Sequence, residues 1–248
     1  MDPLRWQIAG FDAIEIALRA GQPVRVLLVN RDDHSAATSA LIELAVQHAV
    51  TIWRGSEGDL RRMSRGDRTE EIIAMAGPVP MTDLDGLLKR GGAVWLMHRA
   101  TYPSNAGFAV RTAEVSGASG IVIDAAFNHT ERGRVEHVSM GAADVMPVVW
   151  ESTERTIERA QAHGHRIVAL EDTGEHAPWQ VDLTGSVLLL LGSERDGIGP
   201  ELLARCDAVV RVPMAGFVPS YNLQAAMSMV AAERLRQLHS NHMSMCAK

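Results

Sequence analysis

Apolar positions in the first third of the chain recur at two alternating spacings. FDAIEIALRAG (11–21) carries them at helical spacing and predicts an amphipathic helix that ends at Gly21. VRVLLVN (24–30) is a short continuous apolar run and predicts a buried strand. SAATSALIELAVQHA (35–49) predicts a second helix capped by Ser35, and VTIW (50–53) a second strand. These elements form a small α/β unit over residues 1–76. The stretch AGPVPMTDLDGLLKRGG that follows holds two prolines and four glycines around one short helical segment, and 77–92 reads as a linker.

Beyond it the pattern changes to six apolar strands, AVWLMH, GIVI, MPVVW, HRIVAL, SVLLLLG and AVVRVPM, with helix-length segments between them. Strands apolar on both faces, alternating with helices, predict a parallel sheet covered on each side over residues 93–240. In such a sheet the sites lie at the carboxyl ends of the strands. A last long helix starts near Asn222 and runs through AAMSMVAAERLRQL, and 241–248 reads as a frayed tail.

Composition narrows the class. The longest apolar run, Val187 to Leu191, is far below the roughly 20 residues of a membrane helix, and MDPLRWQIAG lacks the basic and apolar regions of an export signal. The two cysteines, Cys206 in a predicted helix and Cys246 in the tail, form no metal-ligand spacing and no disulfide framework. A reduced, cytoplasmic protein without a structural metal is expected. The net charge of −6 argues against a protein held to nucleic acid by bulk electrostatics. Of the 24 basic residues only Lys89 and Lys248 are lysine; the rest are arginine, whose planar fork suits phosphate and carboxylate. Codon usage of an Arg-rich genome is the simpler explanation of the bias, since Arg enrichment alone identifies no partner.

Three strand ends carry candidate chemistry. After AVWLMH, NAGFAVRTA (105–113) predicts a helix beginning near Asn105, with Gly107 leaving a bare backbone patch and Arg111 one turn further on the same face. That pair suits a phosphodiester, or Arg111 pairs with Glu114. After the most hydrophobic strand, LGSERDGIGPE (191–201) sets Gly192, Gly197 and Gly199 around Glu194. The loop suits a nucleoside, or is a plain strand-to-helix turn opened by Pro200. After AVVRVPM, Ser220 or Asn222 caps the last helix, whose first amides face the crevice of the second stretch if their strands are neighbours.

Together NAGFAVRTA, LGSERDGIGPE and VPMAGFVPSYNLQAAMS resemble motifs one, two and three of the SpoU (TrmH-like) branch of the SPOUT methyltransferases, over roughly residues 93–240. The resemblance implies an RNA ribose 2′-O-methyltransferase that uses S-adenosylmethionine. It implies a C-terminal trefoil knot, a rare exception to the rule that chains do not thread, and a homodimer that completes the site across its interface. It assigns Asn105 and Arg111 to catalysis and RNA binding, has Glu194 shape the site, and completes the site with Ser220 and Asn222. It forms the cofactor pocket from Gly192, Val212 and Tyr221 with the neighbouring backbone of Leu190, Met214 and Leu223. Tyr221 stands where the family usually has an aliphatic residue, and its hydroxyl needs a partner if buried. Thr101, Tyr102 and Pro103 stand where the family commonly has an aspartate before the proline.

The first 75 residues resemble, more loosely, the ribosomal-protein-like RNA-binding domain of rRNA-modifying members, which favours rRNA over tRNA as substrate, with no role for DNA or membrane. In place of a polar RNA-contacting loop the chain has SRGDRTEEIIAM, with Glu70 and Glu71 adding negative charge. Arg54, Arg61, Arg62, Arg65 and Arg68, interrupted by Glu57, Asp59 and Asp67, form either an RNA-contacting patch or a solvated mixed-charge helix. A different class of reading is a non-catalytic RNA-binding protein with the same fold; a third option is methylation of a base instead of a ribose.

Overall fold

Two separate hydrophobic cores organise the chain in the computed structural model, which describes residues 6–64, 69–78, 80, 83–218 and 220–246, without the side chains from 241 onward. The first core belongs to the described residues up to Pro80 together with 140–145. Its elements are β1 (Trp6–Ala9), α1 (Phe11–Arg19), β2 (Val24–Asn30), α2 (Ala36–Gln47), β3 (Thr51–Gly55), α3 (Glu57–Met63) and β4 (Ile72–Ala76). The sheet order is β1-β4-β2-β3, antiparallel except for the β2/β3 pair. One face of the sheet, with Leu27, Val29, Ile72 and Ala74, buries Ile14 and Leu18 of α1 and Leu41 of α2; the other packs Leu28 and Ile73 on Leu60 of α3. Ser35 caps α2 as expected, its Oγ accepting the Thr38 N–H at 3.2 Å.

The second core belongs to 83–139 and 146–246. It starts earlier than the linker reading of 77–92 allows. Asp83 caps α4 (Leu84–Lys89), accepting the Gly86 N–H at 2.6 Å, and the i, i+3, i+4 spacing of Leu84, Leu87 and Leu88 buries them against the sheet. The short helix Ala142–Val145, inside the stretch assigned to the second unit, belongs instead with the first, where Asp144 Oδ1 accepts the Thr51 hydroxyl at 2.8 Å.

The elements that follow α4 are β5 (Ala93–Met97), α5 (Pro103–Val115), β6 (Gly120–Ile123), α6 (His129–Val138), α7 (Ala142–Val145), β7 (Val148–Trp150), α8 (Thr153–Ala162), β8 (Arg166–Leu170), β9 (Val187–Leu191), α9 (Pro200–Leu203), β10 (Ala208–Val210) and α10 (Leu223–Cys246). Six strands form one sheet in the order β10-β8-β9-β5-β6-β7, and every pair is parallel. β5, β6 and β9 are buried along their whole length, as two-faced coverage requires. Val94, Leu96, Leu188 and Leu190 point to α4 and α8, while α5 packs between α6 and α10. All strands run the same way, so all their carboxyl ends share one edge.

Three local expectations change. A Cβ on Gly107 would lie 2.6 Å from Val138 Cβ and 2.8 Å from the Val135 carbonyl, so that glycine lets α6 approach α5 and offers no bare patch to a ligand. α10 continues through the expected tail to Cys246, since nothing between 240 and 246 breaks a helix. Cys206 follows α9 instead of lying in a helix, and burial, with Asp207 beside it, pushes its thiol up to about 11.

Gly107→Ala should destabilise the protein by about 1–3 kcal/mol through forced separation of α5 and α6. Gly133→Ala, in the interior of α6 with open space around it, should be neutral or stabilise by up to about 1 kcal/mol. Chemical denaturation of the two variants measures the contrast, and equal midpoints would refute the close-approach argument.

Candidate functional site

The carboxyl end of β5 is fixed before the first motif begins. His98 N–H bonds to Leu191 O at 2.9 Å and Ala100 N–H to Asp124 O at 2.8 Å, and between these anchors Arg99 takes a φ of +47°. His98 Nδ1 lies 2.8 Å from Thr153 Oγ1, whose proton goes to Asp124 Oδ2 at 2.7 Å. With its own proton on Asp124, the Thr153 hydroxyl accepts from His98 Nδ1–H, and burial holds the imidazole below its usual range against the opposing pull of Asp124 and Glu154.

Asn105 does not cap α5. The helix starts two residues earlier, with Pro103 at its first position and Tyr102 as cap, because proline is preorganised there. The Asn105 side chain is thereby released to reach across the site. Its Nδ2 donates to Glu194 Oε1 at 3.0 Å and its Oδ1 accepts from Gln224 Nε2 at 2.7 Å. The other Glu194 oxygen accepts the Thr101 N–H at 3.0 Å, and Asn222 Oδ1 accepts the Gln224 N–H at 3.0 Å, capping α10. One continuous set of hydrogen bonds therefore joins all three motifs. Thr101 stands within the departure before Pro103, and through its backbone it still ties that turn to the second motif.

Beside this junction opens a cleft at the carboxyl ends of β8, β9 and β10. Of the residues assigned to a cofactor pocket, Gly192, Val212, Met214, Tyr221 and Leu223 line it, with Ser220 from the catalytic set. Leu190, assigned for its backbone, is not among the lining residues, and its side chain packs in the core beneath α4 and α8. Tyr221 is 41% exposed, and its hydroxyl donates to Pro213 O at 3.2 Å, which supplies the partner a buried ring would need. The strands of the second and third motifs are not neighbours, because β8 lies between β9 and β10. What closes the gap is Glu171 at the end of β8.

Glu171 was not among the expected site residues. Its N–H bonds to Val210 O at 3.0 Å and its Oε2 accepts the Ile198 N–H at 2.7 Å, so it grips both flanking loops. A Cβ on Gly197 would lie 2.7 Å from that carboxylate, and one on Gly192 would lie 2.9 Å from the Gly197 backbone. The glycines are needed because an acidic side chain fills the space beneath their loop. An acidic pair, Glu171 and Asp172, directly after HRIVAL was the available signal. Gln224 carried none, being a polar residue in the first turn of a helix.

Arg111 lies elsewhere on the unit. It lines a groove of about 470 Å³ between α5 and α10, with Phe108, Val115, Gln224 and Leu235, and is not among the cleft residues. In the first unit, Arg54 and Arg61 are exposed and Arg62 pairs with Asp59 in a capped helix, while Arg65 and Arg68 lie outside the described residues.

Residues 93–232 match the SpoU rRNA Methylase family. The 23S rRNA (guanosine-2′-O-)-methyltransferase RlmB of Pseudomonas syringae is 31% identical over 242 residues, covering 93% of this chain and 95% of the relative. Among solved structures, the SpoU methyltransferase AviRb from Streptomyces viridochromogenes in complex with AdoMet is 25% identical, with a TM-score of 0.62 over 96% of this chain and 91% of that one. An AdoMet-bound rRNA methyltransferase from Sinorhizobium meliloti shares the fold with a TM-score of 0.63 at 23% identity, over 95% of this chain and 88% of that one.

Gly197→Ala meets two penalties, a left-handed φ of +62° and the Glu171 carboxylate. It should cost about 1–3 kcal/mol of stability. An unfolding midpoint equal to that of the parent protein would show that the loop is not held as described.

Proposed function

This chain belongs to the SpoU rRNA Methylase family, and on that premise we propose how its residues serve S-adenosylmethionine-dependent methylation of a ribose 2′-hydroxyl in rRNA. The observation that carries the reading is the hydrogen-bonded junction of Asn105, Glu194, Gln224 and Asn222 beside a cleft formed by the glycines of the second motif and the turn of the third. The cleft suits an adenosine-bearing cofactor: Leu170, Val212, Tyr221 and Leu223 offer apolar surface, Gly192 and Gly197 bring backbone to the ligand, and Glu171, Asp172 and Arg211 supply charge. When bound, S-adenosylmethionine supplies an activated methyl on a positively charged sulfur.

The remaining work is alignment and proton loss at the ribose oxygen. Arg111 holds the 2′-hydroxyl and its adjacent phosphate by charge-assisted hydrogen bonds of its guanidinium and is not itself the base. Ser220, exposed at the mouth of the cleft, and Asn105 and Glu194, half-buried, frame the incoming ribose.

Arg111 lines the α5/α10 groove, and Phe108, Val115 and Met229 on the same two helices are exposed, Val115 to 73%. These features support a homodimer packed through that groove, with Arg111 completing the cleft of the second copy. A threaded C-terminus has its own support. The 171–185 connection from β8 to β9 bonds to the end of β10 through Glu171 N to Val210 O and Arg211 N to His176 O, and holds α10 through Gln237 with Val181 O and Leu183 N. These contacts support a C-terminal trefoil knot formed with that connection. The first unit serves as the RNA-binding domain. The enzyme works in the cytoplasm, in keeping with the absence, among the described residues, of a helix long and apolar enough to cross a membrane.

Titration calorimetry with S-adenosylmethionine should show saturable binding in wild type and Arg111→Ala alike, while methyl transfer to rRNA in the variant falls by at least about 100-fold. Full turnover in Arg111→Ala would reject its role, and absence of cofactor binding by wild type would favour a non-catalytic RNA-binding protein. Val115→Asp should halve the mass measured by sedimentation; an unchanged mass would place the interface elsewhere.

A further inference from the structure

The junction of the three motifs has a hydrogen-bonding polarity that runs from Gln224 through Asn105 to Glu194. Glu194, when ionised, only accepts hydrogen bonds, so the Asn105 amide must turn its N–H to it. That leaves Asn105 Oδ1 facing α10, where it requires a donor. Gln224 Nε2 is that donor at 2.7 Å, and its own backbone N–H is held by Asn222. Gln224 also lines the groove that carries Arg111, so it stands between the cofactor side and the RNA side of the unit. Without a donor at this position, Asn105 Oδ1 is left unpaired on the α10 side and the amide is held by Glu194 alone.

We infer that Gln224 is a positioning residue for methyl transfer: by donating to Asn105 Oδ1 it holds the Asn105–Glu194 pair in the one hydrogen-bonding sense that the site uses. The inference rests on the reading of this junction as a methyl-transfer site. Its sharpest variant is Gln224→Glu, which keeps shape and packing and replaces the donor by an acceptor. At pH 8 the carboxylate introduced by this substitution faces Asn105 Oδ1, acceptor against acceptor, and competes with Glu194 for the Asn105 N–H. As pH falls through the carboxylate range, the protonated acid donates an O–H and restores the original sense.

The experiment is single-turnover methylation of rRNA from pH 5.5 to 8.5 with wild type, Gln224→Glu and Gln224→Met, alongside calorimetric S-adenosylmethionine affinity. Gln224→Glu should be about 10- to 100-fold slower than wild type at pH 8. The deficit should shrink steadily toward low pH, with cofactor affinity unchanged. Gln224→Met should be slow at every pH. A rate equal to wild type in Gln224→Glu at pH 8, or a deficit that does not vary with pH, overturns the inference. Wild type that fails to methylate rRNA overturns the functional reading instead. The inference then stands or falls on the side-chain amide resonances of ¹⁵N-asparagine-labelled protein: in Gln224→Glu the Asn105 pair should shift and exchange faster at pH 8 and return toward its wild-type position at low pH. Unchanged Asn105 resonances overturn it whatever the activity.

Discussion

Everything at this site depends on the fact that a carboxylate accepts hydrogen bonds and donates none. Glu194 stands at the end of β9 with the Thr101 N–H on one oxygen and the Asn105 amide on the other. Those two contacts alone lock the turn before α5 to the loop after β9. Because Asn105 must offer its N–H to the carboxylate, its carbonyl is committed to the opposite side, and α10 has to supply a donor there. Three segments distant in sequence thus share one half-buried polar network whose members are each satisfied by the next, which is what gives such a network its rigidity.

The sheet makes this meeting possible. Six parallel strands, of which β5, β6 and β9 are buried throughout, bring all their carboxyl ends and the loops that follow them to one edge. β9 and β5 are adjacent, so the second and first motifs meet directly. β10 lies beyond β8, and its motif is joined to the second by Glu171, which binds the loop after β9 with its side chain and the end of β10 with its backbone, and to the first by Gln224 on Asn105. The glycines at 192 and 197 are the complement of that side chain.

Patterning made much of this legible. The strands of the parallel sheet, the capping of α2 by Ser35 and the placing of the three motifs at strand ends all follow from continuous apolar runs and turn residues, which encode local geometry. The misreadings had two sources, local signals overruled by stronger-looking neighbours and tertiary choices that local pattern does not contain. Proline in Tyr102-Pro103 moved the start of α5 and freed Asn105 from capping. Gly107 answers to a neighbouring helix and not to a ligand. Prolines around 78–80 suggested a linker, but three leucines in the following segment belong to the second core. Glu171 and Gln224 are important because of what lies across from them, and a sequence read along its own length does not say what that is.

The central claim is that the three joined motifs form a site for methyl transfer to a ribose hydroxyl of rRNA. Incubating the purified protein with S-adenosylmethionine and unmethylated rRNA, then digesting to nucleosides for mass spectrometry, tests it most directly. The account predicts a new 2′-O-methylated nucleoside that traces to a single position. A methyl group found on a base, or none transferred to rRNA at all, would contradict it.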